Sequence, residues 1–344
     1  MTVERDVTID ILRGLAIFIM LGANLVGGIT DINNFPLWFH IYCSIAAPVF
    51  ITVAGYMAAF NGLRKNYNFE YYLKRGGMIL AAGIFIDAAI WRMPPLCTFD
   101  VLYLIGFSMP VIYFYNKLNL KVQILLIAAV LLTTALMQKY IPYSAFTFDF
   151  NEWKGFSFFT VIKAFLYDGW FPVFPWIAFP MAGAAFAKYR GSLGGLKAFT
   201  AGIIIAAAGS AWLYFGYSAK EHFDLLIRRV PYGEIFYPAT AAFCIAAFGT
   251  VLTLFSVTDK IKKAAALSPL SVLGRTAMFN YIFHCAFISF FILPRFEGSP
   301  SGAGTAWAYY GMLVAICLAL SYGIVFMKKK FRPKNFVINF IFGG

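Results

Sequence analysis

The stretch DILRGLAIFIMLGANLVGGI, residues 10–29, is apolar enough to sit in a bilayer, yet it carries Asp10, Arg13 and Asn24. On a helix the spacing from Arg13 to Asn24 makes about three turns, so the two share a face and differ in height by about 16 Å. Asp10 lies a turn below on the same stripe. Each such group costs a few kcal/mol in hydrocarbon and is normally turned toward a protein interior or a wet cavity. This helix is therefore expected to form one wall of a polar site. His40 closes the next segment, ITDINNFPLWFH, at a depth that Asn24 shares. A neutral imidazole can take a proton from a hydroxyl or an amine near neutral pH, and an amide can orient it or bind a developing oxyanion. The plainer alternative is an interfacial histidine beside Trp38 in an aromatic belt.

A second polar stripe runs through GRTAMFNYIFHCAFI, where Thr276, Asn280 and His284 step by four. His284 stands about 13 Å above Arg275. An interhelical hydrogen-bond ladder explains the middle of this stripe as well as catalysis does. Arg275 and Arg13 fall at the same end of their helices, and two guanidinium forks at one mouth suit a phosphate-bearing ligand. Asp87, in GIFIDAAIWR, lies high in its helix near Arg92; a local ion pair and the orientation of His40 are its two readings. In DGWFPVFPWIAFPMAG, Pro172, Pro175 and Pro180 are expected to loosen the start of a helix, with Asp168 and Trp170 at its entrance. Broken backbone at membrane depth is tolerated where it is buried in protein or lines a cavity.

The elements that must hold these residues follow from the apolar runs. The chain has 344 residues, 61% hydrophobic and only 12% charged, a balance no soluble class accommodates. Runs long enough for a ~30 Å hydrocarbon core fall near 8–29, 41–60, 76–92, 97–116, 121–137, 169–187, 197–217, 235–257, 270–293 and 303–327. The expectation is an all-α polytopic membrane protein: one bundle of about ten transmembrane helices, residues 1–344 forming a single integral domain. The net charge of +13 comes from basic residues between apolar runs, which argues against nucleic acid and for topology. Arg64, Lys65, Lys74, Arg75, Lys117, Lys121, Lys188, Arg190, Lys197, Lys260, Lys262, Lys263 and the tail from Lys328 mark one side. By the positive-inside rule that side, with both termini, is cytoplasmic.

Cys43, Cys97, Cys244, Cys285 and Cys317 form no CxxC pair and no cluster with histidine, so packed thiols are expected and no metal. Residues 8–29 are long enough to span and no small-residue cleavage pattern follows, which reads as a retained signal anchor. Walker, GxSxG, zincin and dinucleotide-binding motifs are missing from the sequence.

Taken in order, TIDILRGLAIFIMLGANLVGG, APVFITVAGYMAAF, FDVLYLIGFSM, FPVFPWIAFPMAG and LGRTAMFNYIFH resemble the catalytic domain of the lysosomal heparan-glucosaminide N-acetyltransferase and its prokaryotic relatives. More distantly they resemble the bacterial O-antigen acetylases, within the transmembrane acyltransferase superfamily. The resemblance implies acetyl-CoA bound from the cytoplasm and an acetyl group delivered to the amine or hydroxyl of a sugar or glycan on the far side. In that family an asparagine of the first helix and a histidine of the following loop belong to the active site, and Asn24 and His40 match them by position. On this reading His40, Asn24 and Asp87 are catalytic, while Asp10, Arg13, Arg275, Asn280 and His284 hold the donor. Trp38, Asp168 and Trp170 face the acceptor. The protein is placed in the plasma membrane, with the lipid bilayer as partner, and the sequence admits a homodimer without requiring one. The rival is a transporter of a polar or lipid-linked metabolite, using the same stripes as substrate and proton sites; inverted repeats, which would favour it, are not visible.

Overall fold

The computed structural model describes residues 5–31, 35–96, 99–141, 158–193, 195–215, 236, 239–331 and 335–343. Cys97 and the central parts of two long connections, 142–157 and 216–235, lie outside the described residues. Among the described residues every regular element is helical: α1 Val7–Ile29, α2 Leu37–Cys43, α3 Ala46–Lys65, α4 Phe69–Phe85, α5 Val101–Tyr115, α6 Leu120–Tyr140, α7 Phe158–Lys163, α8 Val173–Trp176, α9 Ala178–Leu193, α10 Leu196–Phe215, α11 Ala241–Ile261, α12 Ser268–Arg275, α13 Ala277–Phe287, α14 Ala303–Phe331 and α15 Phe336–Ile341. The protein is an all-α polytopic membrane protein. Among the described residues, eight helical stretches are long and apolar enough to cross a bilayer, and α5 is a shorter apolar helix.

Helix ends follow local chemistry. Asp6, Asn68, Asn119 and Asn335 each accept a main-chain N–H of the first turn, which satisfies donors that the helix cannot. Among the described residues, three helices pass into π-helical turns, at Ile86–Trp91 after α4, Ala164–Asp168 after α7 and Ile288–Ile292 after α13. The proline-rich stretch breaks as expected: residues 169–172 interrupt the helix, and α8 and α9 restart it. The run 270–293, expected as one helix, is divided at Thr276, whose φ of −116° and ψ of 28° leave the helical region.

The described helices group into two compact units, one holding the described residues up to Phe50 and from Leu254 onward, the other those from Ile51 to Thr253. In the first, α1 is buried along most of its length, through Ile9, Leu12, Ile17, Leu21 and Leu25. Its backbone meets that of α12 directly. A Cβ added to Gly14 would stand 1.8 Å from the Leu270 carbonyl oxygen, and one added to Gly274 would stand 1.8 Å from that of Asp10. Such close approach is how helices associate where no hydrophobic force separates side chain from lipid. In the second unit α3 meets α9 in the same manner at Gly55 and Pro180, while Phe99, Tyr103 and Ala164 form a buried cluster. Helices α6 and α10 bury few side chains and expose Ile124, Leu125, Leu132, Ile203 and Ile204, the pattern of a lipid-facing helix.

Candidate active site

At the first end of α1, Asp10 is buried and takes the Arg5 guanidinium. Thr8 donates to Asp259 at 2.5 Å, and Lys262 stands 3.6 Å from the same carboxylate. Arg13 reaches across to the Gly274 carbonyl at 3.3 Å, a consequence of the Gly14 and Gly274 contact that brings the two backbones together. Arg275 ends α12 beside this point. Arg5 and Lys328 repel it and Asp10 attracts it. The Arg275 Nε is buried without a hydrogen-bond partner among the described residues. A surplus of positive charge together with an unspent guanidinium donor fits an anion with several acceptor oxygens.

About 16 Å further along α1, Asn24 meets α13. Its Nδ2 lies 2.9 Å from Nε2 of His284. The other ring nitrogen, Nδ1, lies 2.8 Å from the Asn280 carbonyl oxygen. A carbonyl only accepts, so Nδ1 carries the proton and Nε2 presents a lone pair, which the Asn24 amide donates to. His284 is fully buried, whereas Asn24 is exposed. The imidazole thus sits behind an amide that opens outward. Cys285 Sγ is 3.6 Å from Nε2, and the Tyr281 ring stands edge-on to the imidazole at 5.4 Å. Asn280 is also fully buried, and its amide nitrogen contacts Thr276 Oγ1 and Ser321 Oγ, each at 2.9 Å. Both of its hydrogens are engaged there.

The side chain that Asn24 bonds is therefore His284; its pairing with His40 was the expectation from depth. His40 lies on α2, half-buried, and its carbonyl accepts from Ser44 Oγ at 2.7 Å. Trp38, on the same helix, is 58% exposed and stacks on Trp307 of α14 at 6.1 Å. Periodicity gave no reason to single out Trp307. Nor did it point to Tyr310, whose hydroxyl donates to the Phe18 carbonyl at 2.8 Å and lies 3.0 Å from that of Tyr42. Ser321 has no sequence signal either, since one serine in an apolar helix carries no pattern.

In the second unit, Asp87 is buried in the π-helical turn and accepts from the Tyr103 hydroxyl at 2.6 Å. Asp168 is buried at the end of another π-helical turn, 3.1 Å from Lys163 Nζ, with Trp170 half-buried beyond it. Phe99 links the surroundings of the two carboxylates. It packs on Tyr103 and Phe165, and its carbonyl takes the Phe171 N–H at 2.9 Å.

Compared with known proteins, residues 5–218 match the model of a family described as heparan-alpha-glucosaminide N-acetyltransferase, catalytic. No curated protein matches the chain.

Proposed function

Because the chain belongs to the heparan-alpha-glucosaminide N-acetyltransferase catalytic family, we propose that this membrane-embedded acetyltransferase takes acetyl from cytoplasmic acetyl-CoA and delivers it to an acceptor amine or hydroxyl across the bilayer. The acceptor class is an amino sugar or glycan, and the membrane is the plasma membrane. The observation that carries the reading is the double use of α1: a cation-rich end at Arg5, Arg13 and Arg275, and the Asn24 to His284 pair about 16 Å beyond it. An extended pantetheine arm, on the order of 15–20 Å long, spans such a rise. The phosphates then rest on the arginines while the thioester reaches the amide.

His284 is the base in this proposal. The acceptor nitrogen or oxygen attacks the thioester carbonyl and its proton passes to Nε2, once the Asn24 amide turns from that lone pair toward the developing oxyanion. Collapse of the tetrahedral species expels the CoA thiolate, and the imidazolium returns the proton. With Nδ1–H held by the Asn280 carbonyl, the ring needs no tautomer change to take that proton. His40 is the second candidate for the same task. Trp38, in the same unit as His284, is proposed to face the acceptor.

The test is reconstitution in proteoliposomes of known orientation, with labelled acetyl-CoA on one face and glucosamine on the other. Transfer is expected only when acetyl-CoA meets the basic-loop face. Transfer with equal rate from either face would overturn the sidedness, and an absence of acetyl-CoA binding by calorimetry would overturn the donor.

A further inference from the structure

The helix that carries His284 starts again after a one-residue break. Thr276 separates α12 from α13, and an interrupted helix leaves carbonyls short of main-chain donors. Side chains approach these carbonyls without being committed to them: Thr276 Oγ1 stands 3.3 Å from the carbonyls of Val272 and Leu273, and Asn280 Nδ2 stands 3.3 Å from that of Leu273. These are long contacts. The short ones all involve a third residue or each other: Thr276 Oγ1 to Ser321 Oγ at 2.8 Å, Asn280 Nδ2 to Ser321 Oγ at 2.9 Å, and Asn280 Nδ2 to Thr276 Oγ1 at 2.9 Å. Ser321 Oγ gives its own hydrogen to Asn280 Oδ1 at 3.3 Å. The three side chains form a closed ring, and all three are fully buried.

Ser321 comes from α14, so the ring ties the first turn of α13 to a different helix. That turn ends in the Asn280 carbonyl, which holds the Nδ1–H of His284. If the turn rotates, Nδ1 loses the Asn280 carbonyl in a fully buried place, and its proton is held there less firmly. We propose that Ser321 is a positioning residue: through Asn280 and Thr276 it fixes the tautomer of His284 and keeps the Nε2 lone pair aimed at Asn24. The catalytic consequence rests on the role of His284 proposed above; the tautomer consequence does not.

The experiment labels the histidines with nitrogen-15 in the full chain in detergent. There are three histidines, and His284→Gln identifies the signals of His284. The natural chain is expected to give a single neutral Nδ1–H signature. Ser321→Ala should convert it to a mixture of tautomers and lower kcat about tenfold, with KM for acetyl-CoA unchanged; Ser321→Thr should restore both. If Ser321→Ala does not fold, Ser321→Cys replaces it, since a thiol keeps the volume and weakens the bonds. A single unaltered Nδ1–H signature in the alanine or cysteine variant overturns the positioning role. Full turnover in His284→Gln, together with an altered tautomer in Ser321→Ala, overturns the role of His284 and leaves the positioning role standing.

Discussion

At the scale of single residues, the pair of Asn24 and His284 separates chemistry from packing. A lone amide or imidazole at membrane depth is costly unless it is used or paired, and here each pairs with the other. His284→Ala is expected to lower turnover at least about a hundredfold, within the ~10²–10⁴ of a general base, and Asn24→Ala by ~10²–10³ as a lost oxyanion donor. Acetyl-CoA affinity should hold in both. His40→Ala should stay within about tenfold of the natural chain; the reverse ranking of the two histidines, read from initial rates, would return the base to His40. Arg275 belongs to the other end of α1. Its unspent Nε and its repulsion by Arg5 are relieved by an anion, so Arg275→Ala should weaken acetyl-CoA by about ten- to a hundredfold, the equivalent of ~1.5–3 kcal/mol for a charge-assisted bond. Calorimetry showing equal affinity would remove Arg275 from the donor site.

At the scale of elements, the site depends on how closely α1 and α12 approach. Gly14 and Gly274 let two backbones touch, and Arg13 reaches the Gly274 carbonyl only because of it. Gly274→Ala puts a methyl group 1.8 Å from the Asp10 carbonyl, where the obstacle is main chain and cannot swing aside. The cost should reach ~1–3 kcal/mol or more, as for an overpacked core. Gly311→Ala on α14, where a Cβ would meet nothing within 4 Å, is the matched control. Thermal unfolding in detergent should show a clear fall for the first and little change for the second; equal midpoints would mean that the approach of α1 to α12 is not what holds this end together. The π-helical turns carry a related lesson. Asp87 and Asp168 each sit in one, where an extra residue per turn re-aims side chains without ending the helix.

At the scale of the whole molecule, the proposed orientation rests on the charge pattern. Lys263 lies in the basic connection between α11 and α12, and Ser299 in the short connection before α14; both are exposed. Four cysteines, Cys43, Cys244, Cys285 and Cys317, are buried, so a chain carrying Cys97→Ser offers a quiet background for labelling. In intact cells a membrane-impermeant maleimide should modify Ser299→Cys, and should reach Lys263→Cys only after permeabilisation. The opposite pattern would invert the positive-inside assignment, and with it the side from which acetyl-CoA enters.

Periodicity and composition were enough for the helical membrane class, for nearly every apolar run, for the loosened stretch around Pro172 and for the polar stripe of α1, because each of these is written within one segment. The ladder of Thr276, Asn280 and His284 was legible for the same reason. Which stripe faces which was not. Asn24 and His284 are 260 residues apart in the chain, and a period of 3.6 tells which side of a helix is polar without telling what stands opposite. The break at Thr276, the ring closed by Ser321 and the stacking of Trp307 on Trp38 were likewise decided by packing. A single serine or tryptophan in an apolar helix has the same sequence signature whether it meets lipid or a partner, and only the neighbouring helix turns it into part of a site.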